Sequence, residues 1–104
     1  MRCLVVKAHP LSESLCSSMA QRVVEFLRTN GHEVTLEDLD AQQFEAAMTP
    51  SERASYYDGP YSTQAVAGYV ERLRSAEAIV LIFPTWWFGP PAILKGWFDR
   101  VWGP

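Results

Sequence analysis

Apolar and polar positions alternate along the chain in two different periods. Cys3-Leu4-Val5-Val6 is a continuous apolar run rich in β-branched residues, the pattern of a strand buried on both faces of a parallel sheet. A polar loop follows, Ala8 to Ser14. Then Cys16, Met19, Ala20, Val23 and Leu27 recur at helical spacing and predict an amphipathic helix to about Arg28. Gly31 after Asn30 is a helix stop. Glu33-Val34-Thr35-Leu36-Glu37 alternates, as a strand with one polar face does. The strand–helix–strand unit predicts two parallel strands with a right-handed crossover.

The segment from Asp38 to Pro60 is irregular. Within it, Thr49-Pro50-Ser51-Glu52 fits a capping box with proline at the first helical position, so a short helix starts there. Tyr56 to Pro60 reads as a turn. Val66, Tyr69, Val70 and Leu73 mark a second amphipathic helix. Ile79-Val80-Leu81-Ile82-Phe83 is the strongest strand pattern in the chain and is expected at the centre of the sheet. Pro84 stops it. After a loop from Thr85 to Pro90, Ile93, Leu94, Trp97, Phe98 and Val101 form a third helix opened by Pro91. The order of elements is that of an α/β open sheet in a single domain, residues 1–104.

In such sheets ligands bind beyond the carboxyl ends of the strands, where strand order reverses. With the second strand on one side of the first and the third on the other, the loops His9 to Ser14 and Pro84 to Pro90 meet at that point. The first loop runs into a helix N-terminus, where unpaired amides and the helix dipole favour an anion. There Ser14 adds a hydroxyl and His9 a donor to a phosphate oxygen. The alternative is that Ser12 or Ser14 only caps the helix, and the carboxylate of Glu13 counts against a phosphate. The second loop carries Trp86-Trp87-Phe88, and three adjacent aromatics cannot all enter one core. A flat aromatic cofactor would stack there; alternatively they cover a core or a subunit interface.

Composition narrows the classes. Hydrophobic residues make up 48% and charged residues 20% of the 104 residues, which excludes a disordered chain. Net charge is −3 with no basic stripe, so no nucleic acid partner is expected. The cysteines, Cys3 and Cys16, form no CxxC pair and read as reduced thiols of a cytoplasmic protein. The opening strand-like run that reaches Lys7 is not a signal peptide. Pro84, Gly89, Pro90, Pro91 and Lys95 break the apolar stretch from Ala78 to Leu94, so no membrane insertion is expected. No metal-ligand set, nucleophile elbow, P-loop or GxGxxG fingerprint occurs. His32 is expected on the surface, and Pro84 stands where a phosphoacceptor domain would want aspartate.

Ala8-His9-Pro10 with Ser14, Gly31-His32-Glu33-Val34, Asp38-Leu39 and above all the run from Phe83-Pro84-Thr85-Trp86-Trp87-Phe88-Gly89-Pro90-Pro91 through Lys95-Gly96-Trp97-Phe98-Asp99-Arg100-Val101 resemble the flavodoxin-like NAD(P)H:quinone oxidoreductases. That family includes the quinone reductases, the modulator-of-drug-activity proteins and the potassium-efflux ancillary oxidoreductases. The resemblance implies a flavodoxin-like open parallel sheet in three αβα layers. It implies bound FMN or FAD, with His9, Ser14, Leu15 and Cys16 at the phosphate end and Pro84, Thr85, Trp86, Trp87 and Phe88 along the isoalloxazine. It further implies two-electron transfer from NAD(P)H to a quinone or similar acceptor, and a homodimer. The family often has asparagine at Cys16 and phenylalanine or another residue at Leu15. Its members continue with two more strands in the order 2-1-3-4-5, so this chain reads as cut after the third strand and its helix, leaving that strand as an apolar edge. The alternative function is a non-catalytic truncated domain. It would self-associate through that edge and the Trp86, Trp87, Trp97, Trp102 cluster, or serve as a regulatory subunit of a membrane transporter.

Overall fold

The computed structural model describes residues 1–104. A parallel three-stranded sheet of order β2-β1-β3 forms its middle, from β1 (Arg2–Lys7), β2 (Glu33–Asp38) and β3 (Ala78–Ile82). β1 pairs with both neighbours, Val5 lying opposite Leu36 on one side and Val80 on the other. The reversal of strand order therefore falls between β1 and β3, as the topology predicts.

The alternation of β1 divides the core. Val5 packs with Ala20 and Val24 of helix α1 (Leu15–Thr29) and with Ile82, while Leu4, Val6 and Ala8 face the opposite layer. That second layer holds α3 (Ala67–Ser75), entered by a 3-10 turn at Gln64–Val66, and α4 (Ala92–Trp97), extended by a π-helical turn at Phe98–Trp102. The result is three layers, helix on sheet on helix, the arrangement that covers both faces of a parallel sheet.

Local chemistry sets the element ends. α1 stops in a Schellman motif: the His32 amide donates to the Leu27 carbonyl and the Gly31 amide to Arg28, with Gly31 at φ +84°. The predicted short helix α2 (Pro50–Ala54) has both arms of its capping box, Glu52 N–H to Thr49 Oγ1 at 3.1 Å and Thr49 N–H to Glu52 Oε1 at 2.9 Å.

Three expectations need correction. The central place that its apolar pattern suggests for β3 belongs to β1; β3 is the outer, apolar edge that the family resemblance implies, with Ile79 exposed and Val80 and Leu81 only half-buried. β2 does not present a simple polar face: Glu37 is fully buried, held at 3.0 Å by Arg72 of α3, while Leu36 is exposed. His32 is half-buried rather than superficial, with its Nδ1 enclosed and unpartnered.

The irregular segment after β2 is clamped from behind. Glu52 and Arg100 are both buried and form a bidentate pair at 2.9 and 3.0 Å, and Arg100 also donates to the Glu45 carbonyl. A Cβ on Gly96 would overlap the backbone of Ala46, so this segment crosses α4 where only hydrogen fits.

Candidate functional site

The carboxyl ends of β1 and β3 are tied together beyond the strands, the Ala8 amide donating to the Ile82 carbonyl at 3.0 Å. This bond launches the two loops side by side. Their side chains meet at once: the rings of His9 and Trp86 lie 6.0 Å apart, edge to face at 61°.

On the β1 side, Ser14 is the N-cap of α1, in extended conformation, and its Oγ accepts the Ser17 amide at 3.1 Å. The hydroxyls of Ser14 and Ser17 both lie within hydrogen-bond distance of the Leu11 carbonyl, at 3.2 and 3.0 Å. The capping reading of Ser14 is thus realised, and its hydroxyl is engaged within the loop. The backbone amides from Ser12 to Cys16 have no acceptor in the chain. Those of Leu15 and Cys16 are the unpaired donors of the first helical turn, where the dipole favours negative charge. The side chain of Leu15 points to solvent and that of Cys16 packs beside the α1 core, so both positions offer the backbone rather than a side chain. His9 is half-buried, and its Nδ1 accepts the Leu11 amide at 3.0 Å. With that lone pair occupied, the ring proton sits on Nε2, which is left as a donor.

On the β3 side, the chain turns back in one tight hairpin. Trp86 and Gly89 exchange both backbone bonds, at 2.9 and 3.2 Å. The two residues between them, Trp87 and Phe88, have φ of 49° and 64°. Positive φ at both central positions is the type I′ signature, normally met by Asn-Gly or Gly-Gly. Bulky aromatics there are strained, and the segment displays them openly: Trp87 is 94% and Phe88 96% exposed. Their amides also lack acceptors in the chain. Pro84 is half-buried at the base, and Thr85 is exposed.

All nine residues expected at a cofactor site, His9, Ser14, Leu15, Cys16, Pro84, Thr85, Trp86, Trp87 and Phe88, therefore lie on the two loops and the first turn of α1, at one end of the sheet. The four tryptophans do not form one cluster. Trp97 is fully buried in the α4 core and touches Trp102, whereas Trp86 and Trp87 stand on the hairpin. A cleft of about 740 Å³ runs from the α1-entry loop, at Ser12, Glu13, Ser14 and Ser17, along the β2 side of α1. Lys7 and Arg28 line it, and neither His9 nor the hairpin does. Lys7 is buried there and paired with Asp38 at 3.2 Å, a pairing that strand periodicity does not reveal. No group of residues suited to a metal ion occurs, and no helix is long and apolar enough to cross a membrane.

The donor set fits a phosphorylated flavin. Unpaired amides at a helix N-terminus suit its phosphate, and free amides with aromatic faces suit a flat, polar-edged ring.

Comparison with known proteins identifies the family. The family model described as a flavodoxin-like fold matches residues 1–104. The chain is 35% identical over 103 residues to YcaK, an uncharacterized NAD(P)H oxidoreductase of Escherichia coli (strain K12), covering 97% of this chain and 52% of that protein. It is 35% identical over 117 residues to NAD(P)H dehydrogenase [quinone] 1 of Rattus norvegicus, covering 96% of this chain and 42% of that protein. Among solved structures, the NAD(P)H:quinone oxidoreductase from Methanothermobacter marburgensis superimposes with a TM-score of 0.86 at 32% identity, over 99% of this chain and 54% of that one. The chain spans about half the length of the curated relatives it matches. It belongs to the flavodoxin-like fold family, together with the NAD(P)H:quinone oxidoreductases to which it is similar along its whole length.

Proposed function

We propose that this chain carries the cofactor-holding part of a flavin-dependent oxidoreductase, which takes electrons from NAD(P)H through FMN or FAD and delivers them to a quinone or similar acceptor. The observation that carries the reading is the meeting of two unlike surfaces at the strand-order reversal. An anion-ready helix end and an aromatic hairpin with free amides stand one ring contact apart. When bound, the flavin supplies the redox chemistry, accepting a hydride from the nicotinamide and passing two electrons on to the acceptor.

The chain's own residues bind and orient. The Leu15 and Cys16 amides and the N-terminal dipole of α1 hold the phosphate, with His9 Nε2–H as a further donor. Ser14 and Ser17 lock the loop to the Leu11 carbonyl, so those amides are aimed before the ligand arrives. The hairpin supplies one wall, with Trp86, Trp87 and Phe88 excluding water from a ring face and the free amides of Trp87 and Phe88 available to its polar edge. Cys16 contributes a backbone donor but no side-chain amide. Exposed aromatics and the open β3 edge favour a homodimer, and the free thiols of Cys3 and Cys16 suit the cytoplasm.

The open β3 edge, with exposed Ile79 and with Trp102 beside it, favours a second reading, a non-catalytic domain that associates through this surface. Visible absorption of the chain mixed with FMN or FAD and gel-filtered separates the two. Retained flavin bands that bleach on adding NAD(P)H support the enzyme reading. A flavin-free oligomer at millimolar flavin supports the second and contradicts the first.

A further inference from the structure

We propose that the His9–Trp86 contact couples the two loops, making Trp86 a positioning residue through which an anion captured at the α1 N-terminus orders the aromatic hairpin. The inference rests on the flavin reading of the site but concerns how its two walls communicate. His9 has two contacts with different jobs. Its Nδ1 is fixed by the Leu11 amide, which binds the imidazole to the helix-entry loop and leaves Nε2–H as the donor. Its ring lies against that of Trp86, at 6.0 Å. An anion accepting from Nε2–H therefore fixes the ring that Trp86 packs on.

The hairpin beyond Trp86 is built to respond. It is closed by the reciprocal backbone bonds of Trp86 and Gly89, and its central residues sit in a backbone conformation that bulky side chains disfavour. Trp87 and Phe88 are almost fully exposed and so have no packing to hold them. The one aromatic contact that the hairpin makes with the rest of the protein is Trp86 on His9. Ordering that contact costs the hairpin its conformational freedom before the ring arrives, which makes ring binding tighter when a phosphate is already in place. The consequence is selectivity: the phosphate of a flavin contributes twice, through its own hydrogen bonds and through the ordered hairpin.

The test uses inorganic phosphate as the probe, titrated into the ¹⁵N-labelled chain while backbone amide and tryptophan indole signals are followed. Phosphate is expected to shift the Leu15 and Cys16 amides and, with the same apparent affinity, the Trp86 and Trp87 indoles. Trp86→Ala should abolish the Trp87 response while the Leu15 and Cys16 shifts remain, and Trp86→Phe, which keeps an aromatic edge for His9, should restore it. His9→Ala should likewise silence both indoles. In titrations Trp86→Ala should weaken FMN binding roughly two- to tenfold more than it weakens riboflavin binding, the range of one lost aromatic pair, because only FMN carries the phosphate whose capture orders the hairpin. Loop shifts with silent indoles in the unaltered chain would overturn the coupling while leaving the flavin reading intact. No response of the Leu15 and Cys16 amides would overturn the phosphate site and the coupling with it.

Discussion

Phe88 and Trp87 show how far single residues depart from the backbone rules. A type I′ turn made by two aromatics, each at positive φ, stores strain of about 1–2 kcal/mol per residue relative to residues that tolerate this region. Phe88 is 96% exposed, so burial gives nothing back. Phe88→Gly is expected to raise stability by about 0.5–1 kcal/mol, the strain relief less the entropy of glycine, while weakening flavin binding. Thermal unfolding and an FMN titration on the same variant check both halves. Three consecutive aromatics after a strand were enough to expect exposure, but not the turn type, which depends on the Trp86–Gly89 backbone bonds. Ser14 was legible as a cap because hydroxyl, helix start and spacing coincide. Lys7 was not: within a strand pattern a lysine reads as an end, whereas Asp38 directly opposite lets it remain buried inside β1.

At the scale of elements, the strands and helices were readable because each carries its own period and its own end signal. The ties between elements were not, since the partners lie far apart in sequence. Glu37 with Arg72 and Glu52 with Arg100 look like ordinary surface charges in a linear reading, yet each carboxylate is buried. Burial by itself pushes the Glu52 carboxyl up, but the Arg100 hydrogen bonds and charge and the Thr49 cap together outweigh it and hold the group below its ordinary range. A carboxyl lowered on folding stabilises the native state above its unfolded value, near 4.5, and this contribution is lost as pH falls through the lowered folded value. Acid unfolding should therefore lose part of its pH dependence below about 4.5 in Glu52→Gln. Removing one partner of this buried pair should cost about 3–5 kcal/mol at neutral pH, read from urea unfolding, and Glu52→Gln/Arg100→Met should cost less than Arg100→Met alone. Gly96→Ala should cost about 1–3 kcal/mol by pushing Ala46 off α4.

The whole molecule is a layered sheet whose two outer strands, β2 and β3, each pair on one side only, and of the two β3 is the more apolar. The strand order β2-β1-β3 is the one the family resemblance implies, and the arrangement of the two loops follows from it. The apolar run of β3 taken alone suggests a central strand, whereas its position at the margin is the one expected from the family resemblance. An unpaired strand with exposed Ile79, flanked by half-exposed Trp102, is a template for association. Ile79→Lys should lower the apparent mass at high concentration, measured by sedimentation equilibrium, with little effect on FMN affinity, because Ile79 lies at the end of β3 remote from the two loops.

The central claim is that a flavin sits where α1 begins and the hairpin turns. Backbone amide spectra of the labelled chain with and without FMN test it most directly. The account predicts shifts concentrated at His9, Leu15, Cys16 and Thr85 to Phe88. Shifts confined to the cleft between α1 and β2, at Lys7, Gln21 and Arg28, would contradict it.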